Sequence, residues 1–135
     1  MNLSELKVPG PTRTALTAPF WTAAAEGRFI VQHCADCASW VFYPRQICPH
    51  CWSPRLEWRE ASGRARLESW SVIHRPGHPG WEPAAPYAIG IVRLAEGPSM
   101  LSHILTAEPQ LHLPLQVRFT QVGAEILPCF EPANE

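Results

Sequence analysis

No run of apolar residues in this sequence approaches the length a helix needs to cross a bilayer, and none follows the N-terminal Met-Asn-Leu-Ser-Glu-Leu-Lys. Neither a membrane span nor a secretory leader is expected, and free thiols then point to the cytoplasm. Charge of one sign is lacking as well. Eleven basic residues face 12 acidic ones for a net charge of -1, without the basic stripe that a nucleic-acid groove requires. Also missing are a glycine-rich phosphate loop, a Gly-x-Ser-x-Gly elbow and a His-Glu-x-x-His metal motif, so the chain is not expected to be catalytic alone. No repeat is visible beyond a pair of cysteine motifs.

Those motifs dominate what is present. Cys34 and Cys37 form one Cys-x2-Cys pair and Cys48 and Cys51 another, ten residues apart. Each pair can turn two thiolates the same way, and two facing knuckles supply the four-sulfur tetrahedron that zinc prefers. The pattern therefore predicts a structural Zn2+ site with ligands Cys34, Cys37, Cys48 and Cys51; iron is the alternative metal. A closed four-thiolate site has no position for metal-bound water, so this metal orders structure and performs no chemistry. His33 and His50 flank the cysteines but have no vacant coordination position to fill. Cys129 lies in an apolar segment and reads as a small buried hydrophobe.

Fifteen prolines and six tryptophans are the other unusual features. Proline divides the chain into short strands and fixed loops, and exposed tryptophan is favoured where proteins meet partners. Residues 1–18 read as an extended arm, disordered or laid on a partner. Residues 19–60 read as a short helix and a zinc ribbon. Thr17 and Pro19 start the helix and Gly27 stops it. Its adjacent Phe20 and Trp21 cannot both face one narrow stripe, so either one of them looks outward or the ribbon covers both. Strands are expected over 28–33, 40–43 and 56–60, with Phe29, Val31, Val41 and Tyr43 on a common face.

Residues 61–135 carry five strand signals, over 65–74, 87–94, 100–105, 115–122 and 126–130, with no long helix between them. This predicts a mainly β protein whose second part is a five-stranded OB-fold barrel, with an SH3-like barrel as the competing topology. The first barrel strand is long enough to bend and pair on both sides. The stretch 106–114 falls where an OB fold carries its optional helix.

Taken together, Phe20-Trp21, Glu26-Gly27-Arg28, Gln32-His33-Cys34-Ala-Asp-Cys37, Phe42-Tyr43-Pro44-Arg45, Ile47-Cys48-Pro49-His50-Cys51, Leu56-Glu57-Trp58, Ser62-Gly63, Ser71-Val72-Ile73-His74-Arg75 and Leu127-Pro128-Cys129-Phe130 resemble a known family. It is the zinc-ribbon/OB-fold family linked with acyl-CoA metabolism and long catalogued as a domain of unknown function. The resemblance runs from about residue 19 to the C-terminus. It departs at Ala38, where the family commonly has glycine and where positive φ is often required.

The resemblance implies a zinc-binding auxiliary subunit of a thiolase-superfamily complex: an acyl-CoA thiolase, a C-acyltransferase or a thiolase-like aldolase. The thiolase-like partner carries the catalytic residues, while the small subunit bridges subunits and shapes the acyl/CoA channel. Candidate ligand or partner contacts are Phe20, Trp21, His74, Arg75, His78 and Trp81, the last four in the proline-stiffened loop 75–86 and its approach. Arg75 could attract a CoA phosphate or carboxylate, and Trp81 could pack on a partner or acyl chain. His103 and His112 read as surface or satisfied strand residues. The alternative from another class is a single-stranded nucleic-acid-binding module, since zinc ribbons and OB barrels also serve that role.

Overall fold

The computed structural model describes residues 3–133. A 3-10 turn at Leu3–Glu5 leads through extended chain to helix α1 (Ala18–Ala25), then to strands β1 (Ile30–Cys34), β2 (Trp40–Val41) and β3 (Leu56–Glu60). These three strands form one antiparallel sheet in the order β2-β1-β3. Strands β4 (Arg64–Ile73), β5 (Tyr87–Leu94), β6 (Ser99–Ile104), β7 (Pro114–Val122) and β8 (Glu125–Pro132) close a barrel in the order β4-β5-β6-β8-β7. That is the expected OB fold. A second 3-10 segment, Pro79–Ala84, lies between β4 and β5.

Pro19 sits in the first turn of α1, where its missing N–H costs nothing. Thr17 occupies the N-cap position, but its hydroxyl makes no cap bond; it accepts from the Thr14 amide at 3.0 Å, and Thr14 Oγ accepts from the Thr17 amide at 3.1 Å. At the other end Gly27 takes φ +76, and the amides of Gly27 and Arg28 reach back to the carbonyls of Ala24 and Ala23. This is a Schellman closure, which needs a residue able to adopt positive φ.

The ribbon and barrel share one core. Phe20, Phe29 and Val31 are buried in the same cluster as Leu67, Val92, Leu94, Leu115 and Phe130. Phe29 links the two parts, with its ring 6.2 Å from Phe20, 6.4 Å from Phe119 and 6.2 Å from Phe130. Every residue of β1 is buried, because one face of the strand lies on this core and the other on the cluster of Cys34, Val41 and Cys48.

Three expectations are corrected. Gln32 pairs with Val41, so Val41 shares the face of Gln32 rather than that of Val31, and Tyr43 lies beyond the two-residue β2 with 58% of its surface exposed. The arm packs on the barrel of its own chain: Leu6 is buried with Ala84 and Val122, the Gly123 amide donates to Leu3 O, and Arg13 pairs with Glu125 at 3.1 Å. Residues 106–114 form bends and a turn instead of a helix, with His112 at φ +64. As expected of a long barrel strand, β4 bends and pairs on both sides; its register shift lies between Leu67 and Ser69, opposite Val92 and Ile91, and at the next pair, Trp70 with Gly90, an added Cβ on Gly90 would stand 2.6 Å from Ser69 O. Only glycine allows the bulge to approach that closely.

Candidate metal centre and the cleft between ribbon and barrel

The two knuckles repeat one hydrogen-bond pattern. The Cys34 amide donates to Ser39 O and the Ala38 amide to Cys34 O; the same two bonds recur when the Cys48 amide donates to Ser53 O and the Trp52 amide to Cys48 O. Amides also point at sulfur, Cys37 N–H toward Cys34 Sγ at 3.5 Å and His50 N–H toward Cys48 Sγ at 3.4 Å. Closing each knuckle requires positive φ just past its second cysteine, and Ala38 at +63 and Trp52 at +68 supply it without glycine. Asp36 of the first knuckle receives Ser53 Oγ and the guanidinium of Arg55, with Arg55 Nε at 3.0 Å, so the two knuckles are tied together. The Arg55 bond first, then that of Ser53, holds the Asp36 carboxyl down at about 2.

The four sulfurs lie within 4.8 Å of one another, with Cys34 to Cys51 at 3.6 Å and Cys37 to Cys48 at 3.7 Å. A disulfide would bring two sulfurs to about 2.05 Å. Four thiolates each about 2.3 Å from a zinc ion would instead stand roughly 3.8 Å apart. The residues therefore fit a tetrahedral metal site, which a bound zinc ion would stabilise by joining the two knuckles. Both flanking histidines lie outside the set. His33 is buried with its ring 5.0 Å from Trp40, and His50 is exposed.

At the junction of α1, the segment after β2 and the barrel is an apolar cleft of about 260 Å3. Phe20 is buried behind it, while Trp21 is half-buried, edge-on to Phe20 at 5.0 Å, and lines the cleft with Tyr43, Leu101 and Leu127. The ribbon thus covers one aromatic fully and the other in part. The barrel residues of this cleft were not among the sequence candidates. Leu101 and His103 sit in a strand whose period-2 pattern marks them only as outward-facing, which is the one signal available.

The loop candidates do not converge on the cleft. His74, Arg75 and His78 are exposed, and His78 Nδ1 is occupied in accepting from the Gly80 amide at 2.9 Å. Trp81 turns onto its own chain, stacked on His103 at 4.7 Å and packed against the cluster of Leu6, Ala84 and Val122. His103, covered by Trp81, also lines the cleft, and burial pushes its pKa below the ordinary 6.5. Cys129 is fully buried and pushed up to about 11 by that burial.

Fold and site define a zinc-ribbon/OB-fold protein with a closed sulfur metal site. Comparison with known proteins places it further. The family model for the ChsH2 rubredoxin-like zinc ribbon domain matches residues 21–57, and that for the ChsH2 C-terminal OB-fold domain matches residues 58–121. The chain belongs to this ChsH2, or DUF35, family. It is 31% identical over 129 residues to a probable enoyl-CoA hydratase alpha subunit of Thermomonospora curvata, an alignment spanning 93% of this chain and 40% of that protein. It is 38% identical over 77 residues to a DUF35 domain-containing scaffold protein of Methanothermobacter thermautotrophicus, 56% of this chain and 57% of the relative. The chain thus spans roughly half the length of these curated relatives. Among solved structures, the chain in an Ltp2-ChsH2(DUF35) aldolase superposes with a TM-score of 0.82 at 29% identity, covering 93% of this chain and 100% of the other. A DUF35-family protein of unknown function from Sulfolobus solfataricus, at 16% identity and a TM-score of 0.64 over 88% of this chain and 86% of its own, shares the fold.

Proposed function

We propose that this chain is a non-catalytic, zinc-ordered subunit that docks on a thiolase-type enzyme of acyl-CoA metabolism, bridging subunits and forming part of the wall of the acyl/CoA channel. The observation that carries the reading is an apolar cleft without Lys, Arg, Asp or Glu where ribbon meets barrel, in a chain whose metal site has four positions that protein sulfur can fill. A site closed in this way offers no activated water. Cys129, the one cysteine outside it, is a buried thiol held in its neutral form. The name of the aldolase structure and that of the hydratase subunit support an enzyme partner acting on acyl-CoA. Exposed Arg75, with His74 and His78 near it, is the candidate contact for a CoA phosphate or a partner carboxylate. The reduced cysteines suit a cytoplasmic setting.

Charge pairing supports this reading over a nucleic-acid module. Arg13, Arg28, Arg55, Arg93 and Arg118 are each paired with a carboxylate, which leaves half of the arginines already neutralised in a chain of net charge -1. The test is an acyl-CoA assay of the thiolase-like enzyme purified with and without this chain. Loss of at least tenfold in activity or soluble yield without it is expected. An indifferent enzyme, or turnover of acyl-CoA by this chain alone, would overturn the reading.

A further inference from the structure

Strand β4 is paired on both sides only in its first part. Its ladder with β7 runs over Arg64, Ala65 and Arg66, and the last bonds on that side are at Leu67, whose amide donates to Leu113 O and whose carbonyl accepts from the His112 amide. The ladder with β5 continues to Ile73. The Leu94 amide turns to Pro98 O, so in β5 Leu94, Val92, Gly90 and Ala88 direct their backbone groups to β6, and the alternate Ile91, Ile89 and Tyr87 direct theirs to β4. The residues these meet are Ser69, Ser71 and Ile73. The amides and carbonyls of the intervening Trp70 and Val72 therefore point away from β5, to a side where no hydrogen bond from any described residue reaches them.

Solvent reaches this edge. Ser69 and Ser71 are exposed, and Trp70 and Val72 show 39% and 42% of their surface. Elsewhere the chain guards its edges: β3 carries exposed Glu57, Arg59 and Glu60, and β2 is only two residues long. Residues 69–73 read Ser-Trp-Ser-Val-Ile, with neither charge nor proline. Unpaired donors and acceptors at successive alternate positions, beside apolar side chains, suit an extended strand rather than a hydrocarbon or an anion. A second copy of the same edge supplies that strand. Laid antiparallel with Ser71 opposite Ser71, it brings Trp70 of each copy opposite Val72 of the other, in pairs that exchange both backbone hydrogen bonds. Directly opposed residues share a face, so each indole meets a valine side chain, and no like charges are brought together.

We propose that the far half of β4 is the contact of a two-fold homodimer: residues 69–73 of two copies pair edge to edge about an axis at Ser71. Each copy spends its open edge on the other, so the assembly closes at two. One short strand per copy is a small contact beside the roughly 1,600 Å2 of a standard interface, so the dimer is weak and dissociates on dilution. The contact is made by this chain with itself and does not rest on the identity of an enzyme partner.

The test is sedimentation velocity of the zinc-loaded full chain from about 1 μM to about 1 mM, with amide hydrogen exchange at both ends of that range. The mass should rise from one copy to two, and the Trp70 and Val72 amides should exchange at least threefold more slowly in the concentrated sample. Val72→Pro should weaken association at least tenfold while preserving zinc content and circular dichroism, because the amide it removes has no place in the ladder with β5. A second pair of variants stands even if Val72→Pro does not fold, since Ser71 is exposed. Ser71→Lys and Ser71→Glu each place like charges opposite one another at the axis, so each alone should associate at least tenfold more weakly than the wild type. Mixed together they should form a heterodimer at least tenfold tighter than either homodimer. A chain that stays monomeric up to about 1 mM would overturn the proposal, as would a dimer whose protection falls outside residues 69–73 or a mixture without preference for the heterodimer. Protection of Trp70 and Val72 in an enzyme complex, with the chain alone monomeric, would assign the edge to that partner and refute the homodimer.

Discussion

Ala38 holds φ +63, a conformation costing an L side chain roughly 1–2 kcal/mol. The knuckle imposes it because the Ala38 amide must reach Cys34 O, at 3.0 Å. Ala38→Gly should therefore stabilise the zinc-loaded protein by about 1 kcal/mol, read as a higher midpoint in urea denaturation with an unchanged slope. His103 offers a second test. Burial favours its neutral form and lowers its pKa from 6.5, so its contribution is fully present above 6.5, the unfolded value, and is lost as pH falls below it toward the folded pKa. His103→Phe retains a ring to stack on Trp81 without a titrating group. Its urea stability should decline less between pH 7.5 and 5 than that of the wild type. An equal decline in both proteins would assign the dependence to other groups.

The ribbon is three strands of five, two and five residues, too little sheet to stand alone. Structural zinc supplies on the order of 10 kcal/mol of apparent folding free energy in such modules, so Cys48→Ser should yield metal-free, aggregating protein where the wild type carries one metal ion per chain by elemental analysis. The 3-10 segment between β4 and β5 illustrates where element-level reading fell short. Its proline content made a fixed loop legible, and His78 does cap it. The loop's direction was not legible, because Trp81 is turned by a stack with His103, 22 residues on, and by Leu6 in the arm. Trp81→Ala should accordingly cost about 2 kcal/mol of stability, measured by urea denaturation, as expected for a half-buried aromatic. A variant as stable as the wild type would return Trp81 to the role of a free contact.

Across the whole molecule the ribbon and the barrel form one cooperative body, since Phe29 follows the helix in sequence yet packs on Phe119 and Phe130 of the barrel. Phe29→Ala should cost about 3–5 kcal/mol and lower the transitions of both parts together. Metal release and tryptophan fluorescence would then follow one denaturation curve; two separated curves would mean that the parts fold independently. The same packing places α1 against the seam between β6 and β8, so that the cleft is built from three regions distant in sequence.

The sequence by itself determined the metal ligands, the ribbon and the five barrel strands, because each rests on short-range regularities: a Cys-x2-Cys turn, period-2 alternation, and proline or glycine at the breaks. Only the tertiary structure decided which face Val41 shares, where Trp81 and the arm are spent, and that β6 and β8 close the barrel through the single pair Ile104 with Phe130. Those outcomes depend on register and on barrel closure between segments far apart in the chain. A one-residue slip exchanges the faces of a strand, and no local pattern records which distant strands meet.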